Sequence, residues 1–86
     1  MPCVSRFYGI SIYLYFQNHA PPHFHAVYGG SEAALEIESS HVLRGSLPGR
    51  AKALVRAWAE QHRAELRDNW ERARRGEPLA DIAPLV

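Results

Sequence analysis

Three imidazoles stand close together in this chain, at His19, His23 and His25, within the run Asn18-His-Ala-Pro-Pro-His-Phe-His25. An imidazole with a pKa of about 6.5 holds either protonation state near neutral pH, so a cluster of them suits general acid and base work. One reaction that needs this set is attack of a ribose 2′-hydroxyl on its own phosphate. It requires a base, an acid and a cation for the phosphorane. His19, His23 and His25 are the candidates for acid and base, with Glu36 to orient an imidazole and Arg6 or Arg44 as the cation. Tyr13 and Tyr15 would stack bases, as aromatic side chains do on RNA-binding sheets.

Two other readings fit the same residues. His23 and His25 form an H-x-H pair that points both rings the same way on a strand, and His19 would complete three ligands for zinc, nickel or iron. The spacing departs from the H-x-H-x3/4-E run of the cupin barrels, because Glu32 comes six residues after His25. Alternatively, His23 and His25 hold the proline loop against the sheet by hydrogen bonds. His41 and His62 read as structural. The expected site uses no metal and no cofactor.

The elements that must position these groups follow from the apolar pattern. Ile10, Ile12, Leu14 and Phe16 alternate with Ser11, Tyr13 and Tyr15, which predicts a strand over 9–16. Pro21-Pro22 forces a loop after it. A second strand is expected at His23–Tyr28, a third at Ser31–Glu38 and a short fourth near Val42–Ser46, with Gly29-Gly30 as a two-residue hairpin turn. That turn sets a register in which His23 faces Glu36 and His25 faces Ala34. Phe24, Ala26, Ala33, Leu35 and Ile37 then share one face, and His23, His25, Val27, Glu32, Glu36 and Glu38 share the other. Tyr13 and Tyr15 join the histidine face, with His19 at its rim.

The second half reads as helix, with Leu54, Val55, Trp58, Ala59, His62, Leu66, Trp70 and Ala73 at spacings of three and four. An unbroken helix over 48–75 would be about 42 Å long, against a width of about 25 Å for a domain of this size. A break is expected around Gln61–Arg63, and a stop at Gly76 after Arg74-Arg75. Leu79, Ile82 and Leu85 should dock back on the core. The expected fold is α+β: one domain over 1–86, a three- to four-stranded antiparallel sheet with one face covered by a bent or broken C-terminal helix.

Composition narrows the setting. The 86 residues carry a net charge of +1, too little to argue for nucleic acid by itself. Arg6 against Glu32, Glu36 and Glu38 makes residues 1–43 net −2, and nine Lys/Arg against six Asp/Glu make 44–86 net +3. Lys52, Arg56, Arg63, Arg67 and Arg74 fall on one helix face with Glu60 and Glu71 between them, the pattern of a solvated face. The one cysteine, Cys3, forms no internal disulfide. No apolar run approaches the roughly 18 residues of a membrane span, and Ile10–Phe16 lacks the flanks of a signal peptide. A cytoplasmic protein is expected.

Ser5-Arg-Phe-Tyr-Gly-Ile10, then Asn18-His-Ala-Pro-Pro-His-Phe-His-Ala26 with Tyr28-Gly29, resemble the bacterial domain of unknown function 4160 family. Val42-Leu-Arg-Gly-Ser-Leu-Pro48, Trp58-Ala59, His62, Glu65-Leu66, Asn69-Trp70-Glu71, Gly76 and Pro78-Leu79 extend the resemblance over nearly the whole chain. Asn18 stands where that family usually has an acidic residue. The resemblance implies a small protein encoded beside a second one in a toxin–antitoxin-like pair, with this chain as the toxin and the cognate small protein as its partner. By analogy with other small toxins, the expected activity is a metal-independent ribonuclease with RNA as substrate. The competing class is a non-enzymatic interaction domain that binds its partner through the open sheet face, and a metal-dependent hydrolase is third.

Overall fold

The alternation of Ile10, Ser11, Ile12 and Tyr13 can bury one face of a strand only if a sheet and an apolar layer are built around it. A computed structural model of the protein, which describes residues 2–15 and 21–86, shows how both are made. Five strands, β1 (Cys3–Phe7), β2 (Ile10–Tyr13), β3 (His23–Tyr28), β4 (Ser31–Glu36) and β5 (Val42–Gly45), pair antiparallel in sequence order. Helices α1 (Gly49–Gln61) and α2 (Arg63–Arg74) follow. The class is the α+β expected, but the sheet has five strands rather than three or four.

The additional strand is β1. It pairs with β2 across a two-residue turn, Tyr8-Gly9, in which both residues have positive φ, 49° and 79°. That is the type I′ pattern, whose twist matches the flanking strands. Glycine adopts it freely. A tyrosine there costs roughly 1–2 kcal/mol of backbone strain. The β3–β4 register is the expected one at every pair, from His23↔Glu36 to Tyr28↔Ser31.

The predicted apolar face is realised. Phe24, Ala26, Leu35 and Ile37 are fully buried with Ile10, Ile12 and Leu14 of the first hairpin. The helices supply Ala51, Val55, Trp58, Ala59, Leu66 and Trp70 to the same core. Trp58 lies at its centre, with ring centroids 5.4 Å from Phe7 and 6.0 Å from Phe24. Truncating a residue so placed costs about 3–5 kcal/mol, a large share of a small domain's stability.

The helix breaks at His62, inside the expected window. Its φ of −121° departs from helical values while its N–H still reaches the carbonyls of Trp58 and Ala59. The two shorter helices fit a molecule measuring 33 × 25 × 22 Å. The tail returns as expected and is fastened by hydrogen bonds. Buried Asn69 donates to the Ala80 carbonyl and accepts from the Ala80 N–H, at 2.9 and 2.8 Å. Trp58 Nε1 donates to the Ala83 carbonyl at 2.9 Å. Ile82 N–H donates to the Val4 carbonyl, so the tail covers part of the outer edge of β1.

The basic helix stripe is not simply solvated. Arg63 donates to the Ile37 carbonyl (2.9 Å) and Ser40 Oγ (3.2 Å), Arg56 donates to the Ser40 carbonyl (3.2 Å), and Arg67 makes a two-bond fork with Glu38 (2.6 and 2.7 Å). Three arginines thus clamp the β4–β5 turn, where Ser40 has φ 62°. Among the described residues, no helix is long and apolar enough to cross a membrane.

At Gly45, β5 lies close against the backbone of β4. The glycine's φ is +74°, and a Cβ there would meet the Glu32 carbonyl oxygen at 2.1 Å. Gly45→Ala is expected to lower stability by roughly 2–4 kcal/mol, from left-handed strain and overpacking together. Gly30→Ala, which meets nothing within 4 Å, should change it by less than about 1 kcal/mol. Urea denaturation of both variants checks this, and equal midpoints would refute the account.

Candidate functional site

Pairing across β2 to β5 places Tyr13, His25, Ala34 and Arg44 in one row on the face opposite the core. Ala34 is the smallest side chain in the row, so His25 and Arg44 look at each other over a hollow. It has a volume of about 220 Å³ and is lined by His25, Glu32, Ala33, Ala34, Arg44 and Gly45. The next row holds Arg6, Ser11, Val27 and Glu32. Arg6 and Arg44 therefore flank His25 from opposite sides, each two strands away, about 10 Å in the hydrogen-bonding direction. Both guanidinium side chains belong to exposed residues.

His25 is held by three neighbours. The Tyr15 ring meets it edge-on with centroids 4.3 Å apart. The His23 ring lies 5.2 Å away, also edge-on. Its Nδ1 is 3.4 Å from Glu32 Oε2, and the imidazole side chain is 15% exposed. Burial pushes its pKa below the ordinary imidazole value, the His23 ring and Arg44 push the same way, and the Glu32 carboxylate opposes them. Burial also raises the Tyr15 phenol, helped by Glu32. The site therefore favours a neutral, proton-accepting His25 beside a permanent cation.

His23 does different work. It is 7% exposed, its ring is 5.4 Å from that of Trp70, and its Nδ1 is 2.9 Å from the Pro21 carbonyl oxygen. A carbonyl only accepts, so Nδ1 carries the proton. His23 thus ties the proline segment to the sheet, which is the structural reading of the motif. The rings of Trp70, His23, His25 and Tyr15 form a continuous chain from α2 to the open face.

The carboxylates are arranged otherwise than expected. Glu36 sits opposite His23 in the register, but its Oε1 accepts from Ser39 Oγ within the β4–β5 turn. Glu38 leaves the histidine face for Arg67, whose guanidinium holds its carboxyl below the usual range. The acidic partner on the site is Glu32, reached diagonally from His25 across β3 and β4. The register itself contained that signal, because diagonal neighbours on a sheet face lie within reach of long side chains. Trp70 as a support for His23 had no comparable signal. Tyr13, Tyr15, His25 and Arg44 come together as expected, and Arg6 shares their face. His19 lies outside the described residues. Among the described residues, no group of three His, Cys, Asp or Glu side chains is placed to hold one metal ion; the third ligand of the metal reading was His19.

An NMR titration tests this assignment of partners. The His25 midpoint should lie below about 6.5. Glu32→Gln should lower it further, Arg44→Gln should raise it, and Glu36→Gln should leave it in place. Because the unfolded chain then binds the proton more tightly, stability should fall as pH drops through 6.5 toward the folded midpoint, and level off below it. A midpoint that responds to Glu36→Gln and ignores Glu32→Gln would overturn the arrangement.

The family model described as Domain of unknown function (DUF4160) matches residues 9–71. No curated protein and no solved structure matches significantly. The matched span runs from the start of β2 into α2 and contains His23, His25, Glu32, Ala34, Arg44 and Trp70. It covers well over half of the sequence, and the chain accordingly belongs to the DUF4160 family.

Proposed function

We propose that this protein is the toxin-like component of a bacterial two-protein module, acting in the cytoplasm as a metal-independent ribonuclease under the control of a small cognate partner. The observation that supports this most is the pairing of a neutral-leaning His25 with Arg44 across the Ala34 hollow, on a sheet face that also carries Tyr13 and Tyr15. In this reading His25 takes the proton of a ribose 2′-hydroxyl. The 2′-oxygen bonds to phosphorus, the bond from phosphorus to the 5′-oxygen breaks, and His19 returns a proton to that oxygen. Arg44 faces the charge on the phosphorane. Tyr13 and Tyr15 offer rings to flanking bases. His23 and Glu36 are positioning residues: one fixes the proline segment, the other the β4–β5 turn.

A second reading has its own support. Two of the four residues expected to act chemically, His23 and Glu36, are engaged in holding loops. That fits a non-enzymatic domain whose open face docks the cognate partner.

Expression in a bacterial host and assay on labelled RNA separate the two. Under the first reading, wild type arrests growth and leaves 2′,3′-cyclic phosphate ends, EDTA has no effect, and His25→Ala slows cleavage by about 100-fold or more. The acidic limb of the pH–rate profile should lie below 6.5, and Glu32→Gln should shift it lower. RNA left intact by folded wild-type protein between pH 5 and 8 would end the ribonuclease reading. Partner binding that survives His25→Ala but fails on Tyr13→Ala would favour the second.

A further inference from the structure

At the far end of the first two hairpins from the proline segment, two tyrosines stand exposed. Tyr8 is 61% exposed and Tyr28 is 40% exposed. Tyr28 packs its ring beside Gly9, with its Cε1 3.5 Å from where a Cβ on that glycine would lie. Both tyrosines line a groove of about 640 Å³ that continues over Pro48, Arg50 and Leu54 of the α1 end to Leu85 in the tail. It shares no residue with the His25 hollow. Its volume lies within the range of small-molecule sites.

Tyr8 is the residue that the fold does not explain. It occupies a left-handed position where glycine or asparagine is the ordinary choice, and burial of its ring does not offset that strain. A strained, exposed aromatic residue points to a role outside the folded chain. Arg50 lines the same groove. It is exposed, and among the described residues it makes no ion pair or side-chain hydrogen bond. Among the described residues, no acidic side chain lines the groove, and the first turn of α1 contains none.

We propose that this groove binds a small aromatic molecule carrying one anionic group, with its ring against Tyr8 and Tyr28 and its anion on Arg50. Flat rings gain from offset or edge-on contact with tyrosine, and a guanidinium presents two parallel donors to a carboxylate. The apolar walls at Leu54 and Leu85 exclude a strongly hydrated ligand and accept the body of an aryl acid.

The test uses the full chain and two probes with the same ring and opposite charge, indole-3-acetate and tryptamine, followed by amide chemical shifts. Indole-3-acetate should saturate and move the signals of Tyr8, Arg50 and Leu54, while tryptamine binds at least tenfold more weakly. Arg50→Gln should weaken indole-3-acetate about tenfold and abolish the preference between the probes. Tyr8→Gly fits the turn, so its denaturation midpoint should not fall, yet it too should lose at least tenfold in affinity. Equal binding of both probes overturns the proposal, as does undiminished binding by folded Tyr8→Gly. Signals that move with protein concentration alone would show a second copy covering the groove, and would overturn it equally.

Discussion

Trp58 is where the separate parts of this molecule meet. Its fully buried ring touches Phe7 and Phe24 from the sheet, His62 at the helix break lies 5.6 Å away, and its indole N–H holds the tail at Ala83. A buried indole must satisfy its one donor, and here the donor fixes where residues 80–83 run. The same ring sets the distance between helix and sheet. Everything on the opposite face depends on this, because a helix layer anchored on one side leaves the other side of the β3–β4 ladder to polar groups.

What that open face presents is set by small residues as much as by large ones. Ala34 and Gly45 have no bulk to fill the space between His25 and Arg44, and Gly45 could carry none without striking Glu32. The hollow is therefore a by-product of the close strand approach at Gly45. Its electrostatics follow from placement. Burial of the His25 ring disfavours its charged form, the His23 ring beside it and Arg44 on β5 act in the same direction, and the Glu32 carboxylate moderates the effect without abolishing it.

Much of this is readable in the sequence. The Gly29-Gly30 turn dictated the β3–β4 register, and the register dictated the two faces. The mismatch between helix length and domain width called for a break, expected around Gln61–Arg63 and found at His62. Strand β1 escaped because a shift of register between Cys3 and Ser5 interrupts its alternation, burying Val4 and Ser5 in succession, and because tyrosine does not announce a turn. The roles of Arg56, Arg63 and Arg67 were hidden for another reason. Helical periodicity tells which residues share a face, but not that the β4–β5 turn will lie under it. His23 looked like half of an acid–base pair because direct pairing brings Glu36 opposite. The nearer hydrogen-bond partners, Pro21 for one and Ser39 for the other, are local and stronger claims on each side chain.

The order of the sheet has a kinetic side. Each strand pairs with its neighbour in sequence, so every ladder closes over a short loop and the search for partners is brief. Chains with such local pairing fold fast for β-rich proteins. The tail is the exception. Its bond from Ile82 to Val4 closes a loop of nearly the whole chain, which carries a larger entropic cost than closing any one of the hairpins. The hairpins and helices can therefore assemble first and the tail last. Until it docks, the outer edge of β1 is bare, and that interval is when a newly made chain is most open to pairing with another strand.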